Sequence, residues 1–474
     1  MTSNLYSLFF VLLTAVANQG AGPKVPVIHS TDLFHPHADP DDHYDLACLF
    51  AMEEFDVRGI ILDMGGTQAK QPGRPPVEQM LQLTGRRSPC AIGLSRTLRS
   101  CTDKALEEPV EFQGGVDLIL SVLRESQEPV ILHTTGSCRD VAAAFNREPA
   151  LLKEKVRAVY FNIGRGPNEP QDECNVGYDP PAYQRMFQSG LPLYWCPCFG
   201  KDGYETLYTV DQAVVVGACT EAVQNYFVYC LTKSAADPIS FLTSGPHPVP
   251  TGGRAMWCTA PMFHAAGRKI YQRGPDDFIA LQPATAQAVK LQDKEVDVFR
   301  FVPMRVRAAG GDAEPRHELA EPAAGQLAAA YWGRTEDRVG TGSPEPDGQP
   351  DCCVRTIGVD AQKPIKNIVL TGPRDGRWEY VATGRWWRVA YQRQGRQLDC
   401  WFQFYAAGEH QIEITYDDGL RQLARFQIPP AASVNPRIEL DVTEPNGFVF
   451  QSTNPQYKQI MASCLNNLLA GLGR

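Results

Sequence analysis

Residues 24–50 read "KVPVIHSTDLFHPHADPDDHYDLACLF", a run of β-branched and apolar residues, then a turn crowded with acids, then an apolar stretch at helical spacing. A short apolar run feeding an amphipathic segment is the unit from which parallel sheets are built. The same alternation continues to about Val210: "VRGIILDMGG", "PCAIGL", "PVILHTTG", "VRAVYFNIG" and "PLYWCPC" read as buried strands. Most are separated by helix-like segments such as "DHYDLACLFAMEEF" and "RDVAAAFNREPALLKEKV". The pattern predicts an α/β domain whose mostly parallel sheet is flanked by helices. Ligands of such sheets bind beyond the carboxyl ends of the strands. The acidic turn, the "MGG" after the second strand, "TTGSCRD" after the fourth and "NIGRG" after the fifth all fall on that edge.

With 474 residues the chain has room for more than one domain. A net charge of −9 argues against nucleic acid or an anionic membrane as partner. Residues 1–19 carry an apolar run ending in Ala15, Val16 and Ala17, which predicts a signal peptide and a secreted or periplasmic protein. No later stretch approaches the roughly 20 apolar residues of a membrane helix. The 14 cysteines are scattered, and neither Cys196 with Cys198 nor Cys352 with Cys353 has zinc-knuckle spacing.

The expected organisation places the α/β domain at 24–294 and an irregular Ala/Gly/Pro-rich connector at 295–350. An all-β sandwich follows at 351–430, on short runs such as "IKNIVLTG", "DCWFQFYA" and "HQIEITYDDG". Residues 431–474 form a C-terminal segment whose "NPQYKQIMASCLNNLLAGL" reads as an amphipathic helix docking back.

Asp32, Asp39, Asp41 and Asp42 crowd one turn, and like charges that close repel strongly in a partly dry cleft. Acids also suit a helix N-terminus, but a cap needs only one of them. A divalent cation resolves the crowding, and oxygen donors point to Ca²⁺ or Mg²⁺ rather than zinc. On that reading His35, His37 and His43 are solvated loop side chains.

Further along, "PVEQMLQLTGRRSPCAIGLSRTL", "AAAFNREPALLKEKVRAVYFNIG" and "DECNVGYDPPAYQRMFQSGLPLYWCP" follow the acidic turn in order. Together these segments, over roughly residues 24–270, resemble the inosine-uridine-preferring nucleoside hydrolase family. The resemblance implies a Rossmann-like α/β fold and hydrolysis of an N-ribosidic bond with a Ca²⁺-activated water. It implies Asp32 as metal-bound carboxylate and general base, Asp42 as a second metal ligand, and Asp39 as a further acid beside the metal. Asp41, Glu173 and Asn175 would hold sugar hydroxyls, and the backbone carbonyl of Arg139 would take the place of a threonine carbonyl ligand. The family's late His-Asp pair is replaced by Met256 and Trp257. His264 would then supply the leaving-group proton or be a structural side chain, and Trp257 would stack on the base or fill core.

These expectations describe an exported N-glycosyl hydrolase, a metal-dependent glycosidase in the broad sense, acting on a small-molecule nucleoside or glycoside, with homo-oligomerisation left open. The alternative is a carbohydrate- or nucleoside-binding protein that keeps the fold without turnover. A metal-free glycosidase fits less well, because its two carboxylates should come from opposite walls of a cleft rather than from one turn.

Overall fold

The computed structural model describes residues 24–37, 39–169, 171, 173–307, 319, 321–334, 352–372, 377–381, 389–402, 408–428, 437–439 and 446–473. The leader-like residues 1–19 lie outside it. Six strands form as the apolar runs predict: β1 (Val25–Thr31), β2 (Phe55–Leu62), β3 (Cys90–Ile92), β4 (Val130–Thr134), β5 (Val156–Asn162) and β6 (Leu193–Cys196). All are parallel to their neighbours, in the order β3-β2-β1-β4-β5-β6. The near-continuous burial of the central strands β1, β4 and β5 is what a sheet covered on both faces requires.

One face is covered by the helices Asp41–Ala51, Arg74–Thr84 and Glu221–Leu231, whose Leu46, Leu49, Val77, Met80 and Phe227 belong to one core. The other is covered by Gly114–Glu125, Arg139–Arg147 and Pro180–Gln188, with Val116, Ile119, Phe145 and Met186 in a second core. Strand order reverses between β1 and β4, so the loops leaving these two strands diverge and open a crevice at their carboxyl ends.

The remaining three strands of this nine-stranded sheet come from outside the expected α/β boundary. Gly447–Ser452 adds parallel to β6, Phe299–Arg307 pairs antiparallel to it, and Arg437–Glu439 closes the edge. The C-terminal helix Tyr457–Leu469 packs its Ile460, Met461, Leu465 and Leu469 into the first core. The segment expected as an irregular connector thus holds two strands, Phe299–Arg307 and Ala328–Arg334. In "FRFVPMRVR" Pro303 reads as a breaker, but it is tolerated at an outer position of the sheet.

The β-sandwich is therefore an insertion between two strands of the central sheet. Its two four-stranded antiparallel sheets enclose Val354, Leu370, Cys400, Phe402, Ile412 and Ile414. "WEYVATGRWWRVAYQ" falls partly outside the described residues.

Because the C-terminal helix is part of the main core, Leu465→Ala should cost about 3 kcal/mol of unfolding free energy. Denaturant titration followed by far-UV circular dichroism measures it. An unchanged midpoint would show that the helix is only an appendage.

Candidate functional site

The crevice is organised around Asp42. It enters the Asp41–Ala51 helix in the first turn, which Pro40 precedes, and its side chain is almost fully buried. Its Oδ1 accepts from the Thr31 hydroxyl at the end of β1 (2.5 Å) and from the Thr135 hydroxyl just after β4 (2.9 Å). One carboxylate oxygen thus spans the point where strand order reverses. Asp32 lies beside it in hydrogen-bonding contact. Burial pushes the Asp42 carboxyl up to about 6, more than those hydrogen bonds lower it. Asp32 is held well above the ordinary carboxylate range, by enclosure first and then by the charges of Asp42, Asp63 and Asp41.

Asp63, at the end of β2, is a site neighbour that the motif reading missed; an acid following "GIIL" at the same sheet edge was the available signal. It is fully buried, accepting from the Met64 amide (2.7 Å) and the Ser137 amide (2.7 Å). Gly136 is wedged between this carboxylate and Asp32. A Cβ there would lie 2.8 Å from Asp63 Oδ2 and 3.1 Å from Asp32 Cβ, so the close approach of the two loops requires glycine.

Asp41 sits at the rim, its carboxyl raised by enclosure and by Asp42, Asp45 and Asp39. Asp45, one turn further along the helix and also missed, is buried beside the Cys258 thiol, which adjoins Trp257. Asp39 is exposed and pairs with Arg254 at 3.4 Å.

Glu173 caps the short helix Cys174–Tyr178. Its oxygens accept from the amides of Gly164 (2.8 Å), Asn175 (2.9 Å) and Val176 (3.4 Å). It therefore reaches the site through Asn175, whose Nδ2 donates to the Thr135 carbonyl (3.0 Å).

Arg139 stands in the first turn of its helix, where Ala142 N already donates to Cys138 O (2.9 Å). The buried Arg139 guanidinium faces the acids, 3.4 Å from Asp179 and 4.0 Å from Asp63.

His264 is not brought to the cluster. Its Nδ1 meets the Tyr160 hydroxyl at 2.7 Å, and its ring lies against Tyr194 and Phe301, partway down the sheet rather than at its edge. Enclosure by these rings lowers its pKa to about 4, which leaves a neutral imidazole, a poor proton donor at neutral pH.

Trp257 is half-buried at the border of the first core and edge-on to Phe199 at 5.9 Å; among the described residues its buried indole nitrogen has no hydrogen-bond partner. The three histidines of the acidic turn are buried rather than solvated. His35 stacks on Tyr229 and meets the Ser234 carbonyl at 2.7 Å, and His37 packs edge-on to His43.

Among the described residues, no three histidine, cysteine or acidic side chains are grouped closely enough to hold a metal ion by themselves. The expected set of Asp32, Asp39, Asp42 and the Arg139 carbonyl is thus not assembled as four ligands. Asp32 and Asp42 nonetheless make an oxygen-only pair whose proximity calls for a shared proton or a hard cation. Such a cation would draw its further oxygens from backbone, water or substrate.

The raised carboxyls give a pH signature. The Asp42 carboxyl is raised from 3.8 to about 6 on folding, so the stability it contributes is fully present below the first value and is lost as pH rises through the second. In chelator the melting temperature should fall over that window, and millimolar Ca²⁺ at neutral pH should restore it. Differential scanning fluorimetry measures both; a midpoint insensitive to pH and Ca²⁺ would exclude the coupling.

The model of the inosine-uridine preferring nucleoside hydrolase family matches residues 27–359. That is further than the segments up to 270 suggested, and it reaches into the sandwich. The chain is 30% identical over 190 residues to the pyrimidine-specific ribonucleoside hydrolase RihA of Citrobacter koseri, covering 36% of this chain and 58% of that protein. It is 40% identical over 94 residues to RihA of an Enterobacter species, covering 19% and 30%. It therefore spans little more than half the length of the curated relatives it matches.

Among solved structures it is similar to the effector protein XOO4466, with 15% identity, TM-score 0.40, and 64% of this chain and 90% of that one covered. It is also similar to an inosine-uridine preferring nucleoside hydrolase from Bacillus anthracis, with 12% identity, TM-score 0.33, and coverage of 60% and 86%. A match beginning in β1, taking in the crevice and covering more than half of the sequence shows that the chain belongs to the inosine-uridine preferring nucleoside hydrolase family.

Proposed function

We propose that this chain hydrolyses the N-glycosidic bond of a nucleoside or closely related ribosyl compound with the help of a divalent cation, Ca²⁺ by the chemistry of its donors. The observation that carries the reading is the Asp32–Asp42 pair at the switch point, with Asp42 anchored by Thr31 and Thr135. Asp32 and Asp42 would hold the cation, which when bound lowers the pKa of a water and engages sugar hydroxyls.

The chain's own residues do the rest. Asp32 accepts the proton of the attacking water, since its basicity rises wherever neighbouring carboxylates crowd it. Asp41, at the rim, accepts from a ribose hydroxyl. Asn175 has its Nδ2 spent on Thr135, which leaves its amide oxygen to accept a second hydroxyl. Trp257, half-buried beside Phe199, offers the departing base an aromatic edge. With the apolar N-terminus read as an export signal, the enzyme would work where calcium is plentiful enough for a weak site.

The test is release of free base from a purine and pyrimidine nucleoside panel, with Ca²⁺ and then with chelator. Base release that chelation abolishes is expected, and Asp32→Asn should lower kcat about 10²- to 10⁴-fold. No release from any nucleoside at high enzyme concentration would reject hydrolysis and favour a binding protein, for which calorimetry with the same panel would still register heat.

A further inference from the structure

Arg139 is wholly buried in the first turn of a helix, where the helix dipole disfavours a cation. Its place there needs compensation, and the surrounding groups supply it. Nη2 donates to the Tyr178 carbonyl (2.8 Å), Nη1 to the Leu94 carbonyl (3.4 Å), and Nε faces Asp179 (3.4 Å) and Asp63 (4.0 Å). The two acids carry the contact outward. Asp179 accepts from the Leu98 amide (2.9 Å) and caps the next helix at Ala182 N (2.9 Å), while Asp63 holds the Met64 and Ser137 amides.

One guanidinium therefore ties together the loops after β2, β3 and β4 and the C-terminal end of the helix that bears Asn175. Ser137 follows Gly136, which packs on Asp32, and Asn175 is bonded to Thr135, the partner of Asp42.

We infer that Arg139 is a positioning residue for the crevice: its side chain holds the loops that set Asp32, Asp42 and Asn175 relative to one another. The inference rests on the hydrolase reading above. Lysine cannot replace it, because a single ammonium lacks the planar fork that reaches carbonyls and carboxylates on several sides at once.

The test uses the full chain and two variants. Arg139→Lys keeps the charge. Arg139→Met combined with Asp179→Asn removes the closest pair together, so that Asp179 is not left as a buried, unpaired charge. Each is examined by thermal melting, by hydrogen exchange of peptides covering 94–98, 135–139 and 174–179, and by kcat and KM per folded molecule.

Both variants should fold and exchange faster in those three peptides than in the β-sandwich. Their kcat should fall about 10- to 100-fold, by more than KM rises, as displaced reacting groups would produce. Unchanged exchange, or wild-type kcat per folded molecule, in the variant that folds would overturn the inference. If both variants fail to fold, Asp63→Asn takes their place with the same two readouts and the same overturning results. If the wild-type chain cleaves no nucleoside, the hydrolase reading fails, and hydrogen exchange alone then decides whether Arg139 fixes the loops.

Discussion

A single carboxylate oxygen, Asp42 Oδ1, ties the crevice together. It accepts from hydroxyls at the ends of β1 and β4, the two strands between which the sheet reverses its order. That reversal makes the loops part, and the two threonines stop the parting at the width of one carboxylate. Asp32, immediately after β1, is placed against Asp42 as a consequence. The crowding that follows is what gives the site its chemistry: acids enclosed together bind a proton or a hard cation more readily than acids in water.

Behind this pair the protein uses charge of the opposite sign for architecture. Arg139 is buried among Asp63, Asp140 and Asp179, and enclosure raises Asp140 to about 8 and Asp179 to about 7. A buried ion pair adds little net stability, but breaking one is costly, so such a network favours one arrangement of the loops over others. Glu173 serves the same end from another side, spending its oxygens on backbone amides so that Asn175 stands beside Thr135.

The β-sandwich and the C-terminal segment show a different economy. The chain leaves the central sheet after Phe299–Arg307, builds an independent core, and returns to add Arg437–Glu439, Gly447–Ser452 and the final helix. Insertion at this place leaves the crevice untouched, because β1 and β4 lie several strands away. The sheet that positions the acids is thus completed by residues more than 400 positions downstream of β1.

Six parallel strands were legible in the sequence, because β-branched runs between amphipathic segments leave few other ways to bury both faces. The acidic turn was legible too, since four aspartates in one loop need a physical explanation. The chain by itself therefore determined the α/β class and pointed to the sheet edge where Asp32, Asp41 and Asp42 lie. It could not reveal that Asp63 and Asp45 join them, that Asp39 pairs with Arg254, or that His264 is held by Tyr160 partway down the sheet. Nor could it show that the Arg139 guanidinium is buried against Asp179 and Asp63, or that Gly447–Ser452 belongs to the central sheet. These depend on which distant segments pack together. Local pattern reports the face a residue presents, and only the tertiary structure decides what that face meets.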